Sequence, residues 1–506
     1  MFRSVLSATL QGLQVEFVQV EADVSNGLPM FHMVGYLSSE VKEAAERVRM
    51  AIHNSDFALP PKKVIINLSP ANMRKRGTVF DLAIGIAVLS ALGDIPESKI
   101  SGTIFVGELS LDGKVKGIQG ILPIVLAAQK QGYKTCVIPR ENQSEGNLVQ
   151  GIQVIGVSNL REAYEYIGEG VWKFEKEQNV QAIPKVQYPE DFADIKGQHF
   201  VKRAVEVAVA GGHNLLMTGP PGAGKTAIAK RIPSILPPLT MEESLELTMI
   251  YSIVGKLSGE FPLKMERPFR EVNASITRTG LLGGGIYPGP GEISLAHKGV
   301  LFLDEIAEFP RYIMESLRKP LEEKEMRIVR ERGEYCFPAD FLLIAAMNPC
   351  PCGNYPDLNK CTCTARQIQN YRGKLSRPFL ERIDLSVEVP KVLYQDLAVD
   401  TKEETSREIR DRILDAREIQ KTRYAELGIQ TNSRLGIRDL EKYCTLNSKE
   451  QEMMRQAYDA LGLSARTYHK VLTVARTIAD LEGKEQIDGR HLREALSYRM
   501  VEKHEV

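Results

Sequence analysis

An eight-residue stretch constrains this chain most: Gly219-Pro220-Pro221-Gly222-Ala223-Gly224-Lys225-Thr226 fits the phosphate-binding pattern G-x-x-x-x-G-K-[ST]. The short apolar run before it reads as a strand, and the residues after it read as the start of a helix. In that setting glycines let backbone N–H groups turn toward phosphates, and the helix N-terminus favours their negative charge. We expect Lys225 to reach the β- and γ-phosphates of ATP and Thr226 to hold Mg²⁺.

Two later strand ends complete the predicted nucleotide site. The apolar run 299–303 ends in Asp304 and Glu305, and a second apolar run, 341–347, ends at Asn348. A buried strand delivers such residues to its carboxyl edge, beside the phosphate-binding loop. Asp304 is therefore predicted to hold the Mg²⁺ shell and Glu305 to polarise the attacking water. Asn348 would orient that water; the alternative is an Asn that only forms a turn.

Two arginines are candidates for sensing the γ-phosphate. Arg382 lies just before a strand-like run and has the character of an arginine finger supplied by a neighbouring subunit. Its alternative is a surface ion pair with Asp384. Arg466 falls in the first turn of a helix that Ser464 caps, where a cation meets the positive end of the helix dipole. That unfavourable position favours a functional role, in cis or in trans.

The 506 residues suggest about three domains. Short strands and helices alternate over 1–170, which predicts an α+β domain. A polar linker, 171–189, leads to the ATPase core at 190–390, and amphipathic helices fill 391–506. The last of these regions is predicted to form a helical lid.

Charge and hydropathy exclude several function classes. Basic and acidic residues both number 65, so any nucleic-acid surface must be local. The N-terminus shows no apolar signal segment. The longest uncharged apolar run, 82–93, is too short to span a bilayer and predicts a buried helix. We expect a cytoplasmic protein with no membrane partner and reduced cysteines.

Four cysteines cluster after Asn348: Cys350, Cys352, Cys361 and Cys363 form two C-x-C pairs. Four thiols so close together suit tetrahedral Zn²⁺ in a structural role. The spacing within each pair is tighter than the usual C-x₂-C, and the alternative is four simple reduced thiols.

Three further segments are candidates for contact with a substrate. The hairpin pattern at 326–337 carries Arg327, Arg330 and Arg332, which either meet phosphates or pair with neighbouring glutamates. The loop 74–76, Arg-Lys-Arg, is either solvated or in contact with nucleic acid. The glycine-rich stretch 280–285 predicts a mobile loop rather than core.

Three longer stretches, at 291–305, 345–353 and 463–472, resemble the YifB/ComM family. Its members are magnesium-chelatase-like AAA+ ATPases with a Lon-protease-like N-terminal domain, and the match covers essentially the whole chain. The resemblance implies an α/β fold with an AAA+ P-loop core and a helical lid, ATP and Mg²⁺ as cofactors, a homo-hexameric ring and a DNA motor for branch migration during transformation. One departure is Glu-Val-Asn-Ala at 271–274, where the family usually has a Pro-His-His stretch.

The stretches 107–115 and 137–142 resemble the proteolytic domain of Lon proteases, which use a Ser–Lys dyad. Here Asp81 falls where the serine belongs, and Leu122 lies near the position of the lysine. Without nucleophile or base there is no acyl transfer, so we predict a retained fold without peptidase chemistry. Two other functions stay open: a magnesium-chelatase-type motor subunit that remodels a partner, and a protein-remodelling ATPase.

Overall fold

A computed structural model describes residues 1–169, 188–257, 262–330, 333–392 and 403–500. They fall into two compact units: Met1–Pro184, Met241–Lys264 and Val329–Phe337 form the first, and Lys185–Thr240, Met265–Ile328 and Pro338–Val506 form the second. Two segments of the predicted core therefore belong to the first unit, and the predicted lid shares the second unit with the core. The predicted linker lies outside the described residues except for its last two positions.

The first unit is built on a mixed seven-stranded sheet with the order β3-β4-β2-β1-β5-β8-β9. β2 pairs antiparallel with β1 and with β4, and the other neighbours are parallel. The strands are β1 (Phe2–Gln11), β2 (Gln14–Ser25), β3 (Met30–Val34), β4 (Lys63–Ser69), β5 (Thr103–Phe105), β8 (Thr135–Pro139) and β9 (Gln153–Val157), with β6 (Glu108–Leu109) and β7 (Val115–Lys116) forming a separate small hairpin.

The helices of the first unit are α1 (Ser39–Asn54), α2 (Asp81–Leu92), α3 (Glu97–Ile100), α4 (Ile121–Lys130), α5 (Gln143–Gly146), α6 (Leu160–Glu169) and α9 (Met241–Ile253). Every residue of α2 except the last is buried, which fits a helix that is apolar all round. α9 packs on α4, and the amide of Gly120 donates to the carbonyl of Ser252. These contacts explain why a segment from within the predicted core belongs to this unit.

The second unit contains a five-stranded parallel sheet with the order β11-β14-β17-β10-β18. Its strands are β10 (Leu215–Thr218), β11 (Phe269–Val272), β14 (Val300–Leu303), β17 (Leu342–Met347) and β18 (Leu385–Glu388). β14 and β17 are buried along their whole length, as expected for strands covered on both faces. A small hairpin, β12 (Gly283–Gly284) with β13 (Gly289–Pro290), completes the strands of this unit. A further hairpin is formed by β15 (Glu325–Arg330) and β16 (Gly333–Pro338), and its residues Val329–Phe337 belong to the first unit.

The helices around this sheet are α7 (His199–Gly211), α8 (Lys225–Ile235), α10 (Arg278–Leu282), α11 (Glu292–Leu295), α12 (Arg311–Ser316), α13 (Arg318–Glu323), α14 (Ala365–Arg372) and α15 (Arg377–Leu380). The C-terminal helices are α16 (Ser406–Arg423), α17 (Ile437–Tyr443), α18 (Ser448–Leu461), α19 (Ala465–Leu481) and α20 (Gly489–Met500). Across the described ranges, no helix is both long and apolar enough to cross a membrane.

The glycine-rich stretch 280–285 is not the loop outside the core that its composition predicts. Leu281 and Leu282 are buried in the core of the second unit, and the glycines after them begin the β12–β13 hairpin. A Cβ atom on Gly283 would lie 2.4 Å from the carbonyl oxygen of Gly289. The glycine therefore permits close approach of two backbones, rather than mobility.

Candidate active site

The phosphate-binding loop joins the end of β10 to the start of α8. Gly222 and Gly224 adopt positive φ angles of 75° and 88°, a region that favours glycine. A Cβ atom on Gly219 would lie 2.3 Å from the carbonyl oxygen of Val389, so that position has no room for a side chain. The backbone of the loop thus depends on the glycines that the sequence pattern specifies.

Lys225 is the first residue of α8 and is only 8% exposed. Its Nζ donates to the carbonyl oxygens of Gly219 at 2.6 Å and Pro220 at 3.1 Å, and to Oδ1 of Asn348 at 3.1 Å. All three acceptors are uncharged, and burial lowers the pKa of the ammonium. A buried cation at a helix N-terminus with only neutral hydrogen-bond partners is poised to receive an anion.

The predicted magnesium ligands lie together. The hydroxyl of Thr226 donates to Oδ2 of Asp304 at 2.9 Å, and the amide of Glu305 donates to Oδ1 of Asp304 at 2.9 Å. A hydroxyl beside a carboxylate is a donor set that suits Mg²⁺. Glu305 is exposed and has a φ angle of 50°, a conformation that non-glycine residues adopt rarely and that clusters at functional sites.

The sheet explains how these residues meet. β17 lies between β10 and β14, and the amide of Gly219 donates to the carbonyl of Met347 at 3.1 Å. Asn348 follows β17 directly, as Asp304 follows β14. The structure therefore brings the residues predicted to bind nucleotide and activate water to one edge of the sheet.

Gln198, which sequence reasoning missed, also holds this loop. Its Nε2 donates to the carbonyl oxygens of Ala223 at 2.8 Å and Pro390 at 3.0 Å. It ties the phosphate-binding loop to the segment after β18. A lone glutamine before a helix carries no motif, so nothing in the sequence marks it.

The two candidate arginines lie on the side of the same sheet where its parallel strands begin, and the phosphate-binding loop lies where the strands end. Arg382 precedes β18, and its carbonyl accepts a hydrogen bond of 3.0 Å from the side-chain amide of Asn214, which precedes β10. The phosphate-binding loop instead follows the end of β10. Three residue steps along β10 separate the two edges by roughly 10 Å.

One carboxylate holds both arginines. Oε1 of Glu322 lies 2.9 Å from Nη2 of Arg382, and Nη2 of Arg466 donates to the same oxygen. Arg382 is 8% exposed, whereas the side chain of Glu322 is 45% exposed. The sequence reasoning missed Glu322 because it lies in a charged run, 322–325.

The alternative interpretation of Arg382, an ion pair with Asp384, is wrong for this structure. Asp384 instead pairs with Lys470 at 2.7 Å and accepts the amide of Asn214 at 2.7 Å. Arg382 is buried rather than at the surface, and Glu322 is its ion-pair partner.

The four cysteines converge in space as well as in sequence. Sγ of Cys350 lies 3.4 Å from that of Cys352 and 3.8 Å from that of Cys361, and the last two are 3.6 Å apart. With Cys363, all four sulfurs fall within 4.8 Å of one another. A tetrahedral zinc with Zn–S bonds of about 2.3 Å requires sulfurs about 3.8 Å apart. The arrangement therefore fits a metal site.

The cysteine loop also touches the nucleotide site. A Cβ atom on Gly353, one residue after Cys352, would lie 2.4 Å from the ring of Pro221 in the phosphate-binding loop. The φ angle of Gly353 is 80°, so this contact depends on glycine. The conformation of the cysteine loop thus bears directly on that of the phosphate-binding loop.

The predicted substrate-contact segments have mixed outcomes. Lys75 is fully buried, so neither solvation nor contact with nucleic acid describes it, whereas the guanidinium of Arg74 lies 5.8 Å from the centre of the Tyr36 ring. In the β15–β16 hairpin, Arg327 pairs with Glu325 at 2.5 Å, as the ion-paired alternative predicts. Arg330 is exposed, and Arg332 lies outside the described residues.

In the first unit, the position assigned to a nucleophile is sealed. Asp81 is fully buried and accepts two hydrogen bonds from Arg47, at 2.9 and 3.2 Å. Burial raises the pKa of Asp81 to about 6, although the hydrogen bonds from Arg47 act in the opposite direction. Leu122 is also fully buried. Neither residue offers a nucleophile or a base to a peptide.

Family models match three consecutive parts of the chain. The model described as "Magnesium chelatase, subunit ChlI" matches residues 191–397, which include the whole nucleotide site. The model "Subunit ChlI of Mg-chelatase" matches 20–142, and "Magnesium chelatase, subunit ChlI C-terminal" matches 403–499.

Full-length relatives carry the assignment further. The chain is 41% identical over 503 residues to the competence protein ComM of Haemophilus influenzae, covering 98% of this chain and 97% of ComM. It is 39% identical over 496 residues to the uncharacterized protein YifB of Escherichia coli, covering 97% and 96% of the two chains. A partial match, 29% identical over 167 residues, links 32% of this chain to 34% of the DNA repair protein RadA of Bacillus subtilis. By full-length similarity and by its site, the chain belongs to the YifB/ComM family of magnesium-chelatase-like AAA+ proteins.

Proposed function

We propose that this protein is an ATP-hydrolysing motor that works as a homo-hexameric ring and acts on DNA. The observation that carries the proposal is the division of the site between two edges of one sheet. Lys225, Thr226 and Asp304 lie at one edge, and Arg382 and Arg466 lie at the other. Such a site becomes complete only when one subunit faces the next.

Each residue at the carboxyl edge has a role in hydrolysis. The loop amides and Lys225 bind the phosphates, while Thr226 and Asp304 hold Mg²⁺. Glu305, exposed beside them, polarises the attacking water, and Asn348 orients it. When bound, Mg²⁺ would neutralise phosphate charge, and ATP would supply the phosphate bond that hydrolysis breaks.

Both arginines then serve the neighbouring subunit. They share one oxygen of Glu322, so their guanidinium groups are close enough to act on the same phosphate. Since Arg382 lies roughly 10 Å along the strand direction from its own phosphate-binding loop, its target is the nucleotide of another subunit. By its position beside Arg382, Arg466 acts there too, in trans.

DNA as the substrate is supported by resemblance. The family resemblance to ComM implies branch migration, and the partial relative RadA is named a DNA repair protein. The names of the family models favour a second candidate, a magnesium-chelatase-type motor that remodels a partner protein. A protein-remodelling ATPase without peptidase activity is a third.

The test is the ATPase rate of the purified protein with and without single-stranded and branched DNA. We expect DNA to raise the rate severalfold and to bind in the presence of a non-hydrolysable ATP analogue. ATP hydrolysis that ignores every DNA tested would reject the DNA function and favour a protein substrate. No hydrolysis under any condition would reject the motor itself.

We also propose that Cys350, Cys352, Cys361 and Cys363 hold one structural Zn²⁺. Metal analysis under reducing conditions should find about one zinc per chain. The double variant C350S/C361S should lose it, whereas C336S, which changes a cysteine outside the cluster, should keep it. Wild-type protein free of metal would return the four cysteines to simple thiols.

A further inference from the structure

An open cleft of about 780 Å³ lies in the second unit, lined by Arg278, Arg311, Tyr312, Glu315 and Ser316. None of these residues belongs to the nucleotide site. Arg278 begins α10, in the segment that follows β11, and the other four lie on α12, in the segment that follows β14. The cleft is therefore formed by segments that leave the carboxyl ends of two adjacent strands.

The lining of the cleft carries a net positive charge, with two arginines and one acid. Arg278 and Arg311 are exposed, and neither forms a salt bridge within 4 Å with any residue in the described ranges. The carboxylate of Glu315, the only acid in the lining, is bound to Arg318 at 2.7 Å and to the hydroxyl of Ser376. That carboxylate also attracts the guanidinium of Arg311, but two arginines share the lining with one acid that Arg318 and Ser376 already engage, so a net positive charge remains for an anionic ligand.

The lining also presents an aromatic ring. Tyr312 is 62% exposed beside Arg311. Ser316 also lines the cleft. Because its hydroxyl donates to the carbonyl of Ile313 at 2.6 Å, its oxygen is available as a hydrogen-bond acceptor. An exposed ring in a lining that also contains two arginines offers stacking to a planar group and positive charge to an anionic group.

We propose that this cleft binds a single strand of DNA, with Arg278 and Arg311 on phosphates and the ring of Tyr312 stacked on an unpaired base. The proposal rests on the DNA function proposed above and names the surface that makes the contact. Arginines recognise phosphates of any sequence, and a tyrosine ring stacks on any base, so binding here is independent of sequence. An acidic peptide would satisfy the arginines but leave the ring without a planar partner.

The charge component is tested with R278A/R311A. Affinity for a fluorescein-labelled oligothymidylate is measured by anisotropy with a non-hydrolysable ATP analogue, over a series of salt concentrations. We expect Kd to rise at least about tenfold, and the slope of log K against log salt to become shallower by about 1.4, which is about 0.7 for each phosphate that an arginine no longer neutralises. The control is R407A/R438A, which removes two exposed arginines far along the chain and should leave both quantities unchanged.

The stacking component is tested with two changes at one position. Y312A should weaken binding at least about fivefold, since a stacked base contributes about 1 kcal/mol or more. Y312F keeps the ring and should bind close to wild type. The ATPase rate without DNA should be the same in all these variants. An unchanged rate shows that the hexamer and the nucleotide site are intact.

The outcomes separate the two proposals. If the wild-type protein binds no oligonucleotide, the proposed DNA function fails and this inference fails with it. If the wild type binds and R278A/R311A binds equally well, the cleft is not the contact surface, while the DNA function stands. Equal binding by Y312A and Y312F would reject stacking, and displacement of the strand by an acidic polypeptide as readily as by DNA would reject nucleic acid as the preferred ligand.

Discussion

Helices α2 and α8 each begin with a buried charged residue, and the surroundings of the two charges are opposite. Asp81 begins α2 in the first unit, is fully buried and receives two hydrogen bonds from Arg47. Lys225 begins α8 in the second unit, and its hydrogen-bond acceptors among the described residues are three uncharged oxygens. A buried charge hydrogen-bonded to its counter-ion is a structural feature, whereas one whose hydrogen-bond partners are neutral can receive a charged ligand.

The helix dipole strengthens this difference. An aspartate at a helix N-terminus is stabilised by the dipole, and a lysine is destabilised there until an anion binds. Arg382 is intermediate, because its counter-ion, Glu322, is half-exposed and shared with Arg466. A phosphate can replace a partner as exposed as Glu322, whereas Asp81, the partner of Arg47, is only 1% exposed.

Of the changes that test this comparison, Arg382→Ala should have the largest effect on ATP turnover. If its ion pair with Glu322 is exchanged for a neighbour's phosphate, the variant should bind ATP but hydrolyse it slower by a factor on the order of 10³ or more. Mixing it with Lys225→Ala subunits should restore part of the activity, since each supplies what the other lacks. The measurement is steady-state ATP turnover of single and mixed preparations.

Arg377→Ala is the matched control for that experiment, because Arg377 is exposed and its one ion pair among the described residues is with Glu381 at 3.9 Å. It should hydrolyse ATP normally. Failure of mixing to restore any activity, with mixed rings shown to form, would argue against action in trans. Full activity of Arg382→Ala alone would remove the residue from the mechanism.

Glu305→Gln separates ATP binding from ATP hydrolysis at the nucleotide site. The amide keeps the size of the side chain but cannot polarise water, so turnover should fall about a hundredfold or more while ATP binding persists. The check is turnover beside nucleotide affinity by fluorescence. Glu308→Gln changes a nearby carboxylate that pairs with Lys374 at 3.2 Å and should be close to wild type. Wild-type turnover in the Glu305 variant would reject its catalytic role.

Arg47→Ala tests the sealed site. Loss of the partner leaves the Asp81 carboxylate buried and unpaired, which should cost about 3–5 kcal/mol in the free energy of unfolding. Hydrogen exchange of the α2 amides reports this locally. Arg49→Ala, which removes an exposed arginine two residues away, should cost less than about 0.5 kcal/mol.

The pH dependence gives the sign of that effect. The pKa of Asp81 is raised to about 6 in the folded protein, above its ordinary value of 3.8, so its contribution to stability is greatest below pH 4 and is lost as pH rises through 6. The deficit of Arg47→Ala should therefore be larger at neutral pH than at about pH 4.5, where the carboxyl can be protonated. A deficit independent of pH would show that lost packing, not the unpaired charge, is responsible.

The last prediction is that peptide cleavage is absent. Neither the wild-type protein nor Asp81→Ser should cleave peptides at any ATP concentration, because Leu122 supplies no base to activate a hydroxyl. The assay is release of a fluorophore from a quenched peptide. ATP-dependent cleavage that survives repurification would overturn the view that this fold has no peptidase chemistry.

The sequence alone determined the parts of this protein whose chemistry is local. The phosphate-binding loop, the acidic pair Asp304–Glu305 and the capped start of α19 are each encoded by neighbouring residues with a defined spacing. The buried α2 is likewise predicted by an uninterrupted apolar run. Hydrophobic periodicity and turn residues act over a few positions, so a pattern can specify them.

Only the tertiary structure decided which distant residues meet. Glu322 lies 144 positions from Arg466 along the chain, and Arg47 lies 34 from Asp81, so no spacing rule marks either pair. The parallel pairing of β10 with β18 places Lys225, which follows β10, and Arg382, which precedes β18, at opposite ends of these strands. Contacts between α9 and α4 likewise place Met241–Lys264 in the first unit, whereas their position in the sequence predicts the ATPase core. Side-chain partners and strand order arise from packing across the whole chain, which local sequence does not encode.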